Sequence, residues 1–255
     1  MVFMSWKVFP GDERMKFLSR FFQNYENDIF PNGEILPIPV TRDGIRISNS
    51  DVHLIDFLEK IPDNSLIFCG QKNLIPKNLI DDKKIYDYSE DETFLLKNAY
   101  LTSCGAVKIL LQNSKNPFNE LKILISGFGR IGKNLTKLLT GLGTEVYVIG
   151  HSEKDSFWIN QFGASEFNFS NRISFDFIVN TVPDIVFDEK NLSKIECKSG
   201  FIELASKPGV NPKICEYLGI NHIHALGIPG KYYPESSAKI IKESILSIIN
   251  KICGV

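Results

Sequence analysis

From Leu121 onward the chain alternates short apolar runs with amphipathic stretches. Leu121 to Ser126 is apolar and ends in a glycine-rich turn, after which apolar residues recur at Ile131, Leu135, Leu138, Leu139 and Leu142. That spacing predicts a helix, and Val146 to Ile149 predicts the strand after it, which together make a βαβ unit. Further strands are predicted at Phe175 to Asn180, Gly200 to Ala205 and Asn221 to Ala225, separated by helical or loop segments. A last helix, Ser236 to about Ile252, carries Ile241, Ile245, Ile248, Ile249 and Ile252 on one stripe and should pack on the body of the protein.

The earlier part of the chain is less regular. Trp6 to Phe9, Glu34 to Val40 and Leu66 to Gly70 read as strands, and Asp12 to Phe22 as a helix, suggesting a small parallel α/β layer. A helix from Ser103 to Leu111, broken by Asn113-Ser114-Lys115-Asn116-Pro117, marks the junction. The expected fold is therefore α/β: a reduced amino-terminal domain over residues 1–100, then a doubly wound parallel-sheet Rossmann domain over 101–255 that includes the last helix. That helix is free to pack back on the first domain.

Composition narrows the partners. Lys and Arg number 29 against 30 Asp and Glu, so no broad positive field attracts nucleic acid. The five cysteines are odd in number and lack CxxC spacing, which argues against a disulfide framework and a zinc site and fits a reducing compartment. Met1 to Lys7 has no apolar run of signal-peptide length, and no segment reaches about 18 uninterrupted apolar residues. A cytoplasmic protein without membrane contact is expected.

The chemistry concentrates at Gly127-Phe128-Gly129-Arg130-Ile131-Gly132, a GxGxxG turn between strand and helix. In such a turn the first glycine permits the tight bend, the second leaves room for a pyrophosphate and the third lets helix and strand approach closely. Enzymes that use NAD usually carry an acid at the end of the following strand to accept from the ribose 2′-OH. Here that position is Gly150, followed by His151, Ser152 and Lys154, so NADP is favoured. NAD stays open, with Glu153 reaching back to the ribose.

Asn180-Thr181-Val182-Pro183 ends the next strand with a polar pair and a stiff turn suited to the nicotinamide ribose, or Pro183 simply begins a loop. His222 and His224 share one strand face, but two histidines without a carboxylate partner are a poor metal set, and none is expected.

These motifs resemble those of the A subunit of dipicolinate synthase. The resemblance rests on Gly11-Asp12-Glu13-Arg14, Ile35-Leu36-Pro37-Ile38-Pro39-Val40, the turn Gly127 to Gly132, Asn180 to Pro183, Leu204-Ala205-Ser206-Lys207-Pro208-Gly209 and Ala225-Leu226-Gly227-Ile228-Pro229-Gly230. It implies NAD(P)-linked oxidation of a dihydrodipicolinate-type precursor to dipicolinate in spore formation. A flavoprotein-like second subunit is the implied partner, and a homo-oligomer is left open. It also implies Ala205 and Ser206 at the cofactor, Arg14 and Pro229 at a dicarboxylate substrate, and Lys207 pairing a substrate carboxylate or cofactor phosphates; by the residues alone Lys207 is equally a surface lysine and Arg14 a solvated side chain at a helix start. Thr102 and Ser103, at the expected helix start, either donate to a substrate carboxylate or cap that helix.

Two departures from the family pattern bear on activity. Its Pro-Thr-x-Glu-Gly junction is Leu101-Thr102-Ser103-Cys104-Gly105 here, so a carboxylate has become a thiol. The amino-terminal domain also lacks an evident counterpart of the family's second strand and following loop between Phe22 and Glu34. A cofactor-binding module without turnover is therefore the alternative. An unrelated 2-hydroxyacid dehydrogenase lacks its Arg, Glu and His set.

Overall fold

The computed structural model describes residues 6–23, 33–63, 65–80, 83–170 and 172–254. The elements run β1 (Trp6–Val8), α1 (Glu13–Gln23), β2 (Gly33–Ile35), α2 (Leu54–Lys60), β3 (Leu66–Cys69), β4 (Ile85–Asp87), α3 (Glu92–Asn113), β5 (Lys122–Ser126) and α4 (Arg130–Gly141). They continue with β6 (Glu145–Ile149), α5 (Glu153–Gln161), β7 (Ser165–Glu166), β8 (Ser174–Asn180), α6 (Glu189–Leu192), β9 (Glu196–Glu203), α7 (Pro212–Tyr217), β10 (His222–His224), α8 (Ile228–Tyr232) and α9 (Pro234–Cys253). Two compact units result: Met1–Asn98 with Pro229–Val255, and Ala99–Ile228.

In the first unit, four parallel strands lie in the order β1-β2-β3-β4. Leu36, Val40, Leu54, Leu58 and Ile67 fill part of its core. The strand expected over Glu34 to Val40 is limited to Gly33–Ile35, because Pro37 and Pro39 have no N–H to extend the ladder. The missing counterpart expected after Phe22 falls largely on residues 24–32, and the start of the signal-peptide reading on residues 1–5; both stretches lie outside the described residues.

The last helix corrects the domain assignment. With Ile241, Ile245 and Ile249 fully buried, α9 packs against α1 and groups with the first unit, not with the Rossmann domain. Ser244 Oγ donates to the Tyr88 carbonyl at 2.8 Å, and Lys251 pairs with Asp91 at 3.1 Å.

The junction helix also differs from expectation. It starts at Glu92 rather than Ser103, with the Asp91 carboxylate accepting from the Thr93 N–H at 3.1 Å, and no breaker interrupts it before Asn113. By length and composition α3 is the one helix among the described residues that could cross a membrane, but the core helix of a soluble protein passes the same test.

The second unit holds six parallel strands in the order β10-β9-β8-β5-β6-β7. The chain first builds outward from β5 through β6 and β7, then returns to β8 and builds the other way. The carboxyl ends of β5 and β8 thus form the switch point at which doubly wound sheets bind ligands. Ile123, Leu124 and Ile125 in β5 and Phe177, Ile178 and Val179 in β8 are all fully buried, as central parallel strands covered on both faces require.

Candidate dinucleotide site

The three glycines of the turn meet different constraints. Gly127 has φ 88°, and a Cβ there would lie 2.6 Å from Val182 Cγ2 and 2.8 Å from Thr181 Oγ1. At Gly132 a Cβ would lie 2.1 Å from the Gly127 carbonyl oxygen, so helix α4 sits directly on the turn. Gly129 has an ordinary φ of −77°, and among the described residues nothing outside its chain neighbours comes within 4 Å of a Cβ built there. The chain's own packing therefore leaves position 129 open to a side chain, and glycine there keeps an exposed space clear at the N-terminus of α4. First-turn N–H groups facing such a space suit a pyrophosphate. The turn fits the dinucleotide that its sequence implies.

Around it, Phe128 is buried with its ring 5.8 Å from that of Phe162, and Lys133 Nζ lies 5.4 Å from the Phe128 ring. Arg130 is exposed and Ile131 half-buried.

The loop after β8 is bound to the turn. Thr181 donates to the Ser126 carbonyl through its N–H at 3.1 Å and its hydroxyl at 2.8 Å. Asn180 is fully buried: its Oδ1 is hydrogen-bonded to Ser126 Oγ and accepts from the Val182 N–H at 3.2 Å. Its Nδ2 donates to the Val182 carbonyl at 2.9 Å and to Glu203 Oε1 at 2.7 Å. Val182 is half-buried and Pro183 exposed. After β9, Ala205 is buried, whereas Ser206 and Lys207 are exposed on the same carboxyl edge of the sheet.

At the end of β6 the arrangement is more acidic than the sequence suggested. Ser152 caps α5, its Oγ accepting from the Asp155 N–H at 3.2 Å, and Asp155 Oδ2 accepts from the His151 N–H at 3.2 Å. A Cβ at Gly150 would lie 3.1 Å from Asp155 Cβ and 3.9 Å from Glu166 Oε1. His151, Ser152, Glu153 and Lys154 are exposed. Asp155 and Glu166, rather than Glu153, bring carboxylates beside Gly150.

Other expected residues lie elsewhere. Thr102 and Ser103 are buried in the middle of α3, so neither sits at a helix start. Ser103 Oγ is within 2.9 Å of the Ala99 carbonyl and 3.1 Å of the Ile131 carbonyl, and its hydroxyl is used locally. Cys104, also away from a helix start, lines a recess of about 600 Å³ with Tyr100, Val107, Asn134, Lys137 and Leu138.

In the first unit, Arg14 is not a solvated side chain. It donates to Asp12 Oδ2 through Nε at 2.9 Å and Nη2 at 2.5 Å, and to the Ile38 carbonyl at 2.9 Å. A Cβ on Gly230 would meet Arg14 Nε at 2.6 Å, so the start of α8, with buried Pro229 and half-buried Gly230, packs on this guanidinium. The rings of His222 and His224 lie 4.3 Å apart, and the described residues hold no group of three or more His, Cys, Asp or Glu placed for a metal.

Glu203, Asp155 and Glu166 went unnoticed in the sequence. Glu203 leaves a trace there, as the one charge in the run Gly200-Phe201-Ile202-Glu203-Leu204-Ala205. Asp155 and Glu166 leave none, because only the fold brings them to Gly150.

Sheet order and glycine turn together define a Rossmann fold. The chain is similar to the A subunit of dipicolinate synthase from Bacillus subtilis (strain 168), with 25% identity over 230 residues that cover 86% of this chain and 77% of the relative. Two solved structures share the fold along nearly the whole length. Dipicolinate synthase A chain from Bacillus subtilis has TM-score 0.83, 22% identity and coverage of 99% and 97% of the two chains. Its counterpart from Bacillus halodurans has TM-score 0.85, 20% identity and coverage of 96% and 97%. A D-isomer-specific 2-hydroxyacid dehydrogenase from Lactobacillus delbrueckii ssp. bulgaricus, solved as its NAD complex, follows at TM-score 0.56 and 9% identity, with 98% and 97% covered. No family model matches. The family likeness read from the motifs is borne out.

Proposed function

We propose that this protein is an NAD(P)-dependent oxidoreductase subunit that oxidises a dihydrodipicolinate-type precursor to dipicolinate during spore formation in the cytoplasm. The observation that carries the reading is the clear space at Gly129, at the start of α4 and beside the switch point of a six-stranded parallel sheet. The similarity to the A subunit of dipicolinate synthase supplies the substrate class. The Gly127–Gly132 turn and the loop after β8 would hold the dinucleotide at this edge, where it would supply the hydride acceptor for an oxidation that also releases a ring proton as the pyridine aromatises. Thr181 and Asn180 hold the loop after β8, which would receive the nicotinamide ribose, and exposed Ser206 and Lys207 would offer a hydroxyl and a cation to a carboxylate. Arg14, in the first unit, is paired with Asp12, so its guanidinium is held rather than mobile. Ser103 is spent on backbone carbonyls and takes no part.

The proposed partner is a small flavoprotein-like second subunit, and the proposed cofactor is NADP, on the strength of Gly150, His151, Ser152 and Lys154. The carboxylates of Asp155 and Glu166 beside Gly150 favour a second reading, NAD, with Glu166 accepting from the 2′-OH. Mixing the protein with dihydrodipicolinate and either dinucleotide, with and without the second subunit, tests the function. Appearance of reduced nicotinamide supports it. Tight dinucleotide binding without any reduction in either mixture would instead support a cofactor-binding module, in line with Cys104 at the junction.

A further inference from the structure

Glu203 ends β9 with only 1% of its surface exposed. A charge at such depth persists only when its acceptors are used. Both oxygens are engaged: Oε1 accepts from Asn180 Nδ2 at 2.7 Å and from the Ala205 N–H at 3.1 Å, and Oε2 accepts from the Gly209 N–H at 2.7 Å. These contacts join two strand ends. Ala205 and Gly209 bracket the loop that carries Ser206 and Lys207, while Asn180 fixes the loop that carries Thr181 and Val182.

From Asn180 the chain of contacts reaches the phosphate turn. Asn180 holds both backbone groups of Val182, and Val182 and Thr181 fill the space that a Cβ on Gly127 would occupy. At Gly209 a Cβ would lie 2.2 Å from Asn180 Nδ2, so the glycine lets its loop close onto this amide. Each group in the series has one arrangement that satisfies it.

We infer that Glu203 is a positioning residue for the dinucleotide site, its buried carboxylate clamping the loops after β8 and β9 and, through Asn180 and Val182, the Gly127 turn. The inference rests on the dinucleotide reading above for its functional consequence, but the clamp itself can be tested without ligand. In Glu203→Gln the shape is kept while one acceptor becomes an NH₂ that faces another donor, so the Ala205 and Gly209 amides cannot both be satisfied. Glu203→Asp keeps both acceptors on a shorter arm.

The test is hydrogen exchange on the ligand-free protein combined with calorimetric titration of NAD and NADP, with thermal unfolding to establish that each variant is folded. Glu203→Gln is expected to speed exchange at Ala205 and Gly209 and, while folded, to weaken dinucleotide binding at least about tenfold, the scale of a hydrogen bond to a charged group. Glu203→Asp should fall between wild type and Gln in both. Unchanged exchange in folded Glu203→Gln would overturn the clamp. Faster exchange with affinity within about twofold of wild type would overturn the positioning role. A wild-type protein that binds neither dinucleotide would overturn the oxidoreductase reading and the functional half of this inference, leaving exchange to decide the clamp.

Discussion

Gly129 and Gly132 stand three residues apart in one motif, yet their substitution should produce opposite phenotypes. Gly129 has an extended conformation open to any residue (φ −77°, ψ −161°), and among the described residues nothing outside its immediate chain neighbours comes within 4 Å of an added Cβ. Valine there should shift stability by no more than about 0.5 kcal/mol, as at other open surface positions. Its isopropyl group would stand where the pyrophosphate belongs, and affinity should fall by at least about a hundredfold, roughly 2.7 kcal/mol. Gly132 is the reverse case. A Cβ placed 2.1 Å from the Gly127 oxygen must push helix α4 off the turn. Overpacking of that kind costs about 1–3 kcal/mol, and in a chain of this size each kcal/mol lowers Tm by about 2–4 °C. Thermal unfolding and calorimetric titration on Gly129→Val and Gly132→Ala separate the two effects. Unchanged dinucleotide affinity in Gly129→Val would refute the placement of the pyrophosphate, and an unchanged Tm in Gly132→Ala would refute the packing argument.

Three further outcomes are expected. NADP should bind more tightly than NAD, and Glu166→Gln should widen the difference by removing a carboxylate beside the 2′-phosphate, an effect that weakens with added salt; a tenfold preference of wild type for NAD, lost in Glu166→Gln, would make Glu166 the ribose acceptor. Ser103→Ala should lower stability by about 0.5–1.5 kcal/mol through loss of a buried hydrogen bond, measured by urea unfolding; no change would mean that its carbonyl contacts contribute nothing. Burial raises the Glu203 carboxyl above its ordinary value, against the opposing hydrogen bonds from Gly209, Asn180 and Ala205. The folded state then holds this proton more tightly than the unfolded one, so the contribution of Glu203 to stability is greatest below the ordinary glutamate value of 4.5 and declines as pH rises through the raised one. The Tm of wild type should accordingly fall relative to that of Glu203→Gln over this window, and a constant difference would contradict the sign.

The second unit was legible because its central strands are covered on both faces. Ile123 to Ile125 and Phe177 to Val179 had to be continuous apolar runs, and helix α4 had to show its buried stripe between them. The first unit was less so. The strand β4 is Ile85-Tyr86-Asp87, too short and too polar at its end to stand out, and Pro37 and Pro39 cut a plausible strand to three residues. The first part of helix α3 is hidden in the sequence because Glu92 to Tyr100 mixes charges and exposed leucine with the buried Phe94 and Ala99, which blurs its periodicity. Thr102 and Ser103 looked like caps only under that shortened boundary. The glycine turn could be read directly, since each glycine has a steric reason that spacing alone expresses. Long-range neighbours could not: Asn180 and Glu203 meet through the register of β8 with β9, and Glu166 reaches Gly150 through the pairing of β6 with β7.

A crystal structure of the protein grown with saturating NADP would decide whether a nicotinamide dinucleotide lies along the carboxyl edge of β5, β6 and β8. The pyrophosphate is expected over Gly129 at the start of α4, with the adenosine ribose beside Gly150 and the nicotinamide near Thr181. A dinucleotide found at any other surface, or none at a concentration where calorimetry shows saturation, would contradict it.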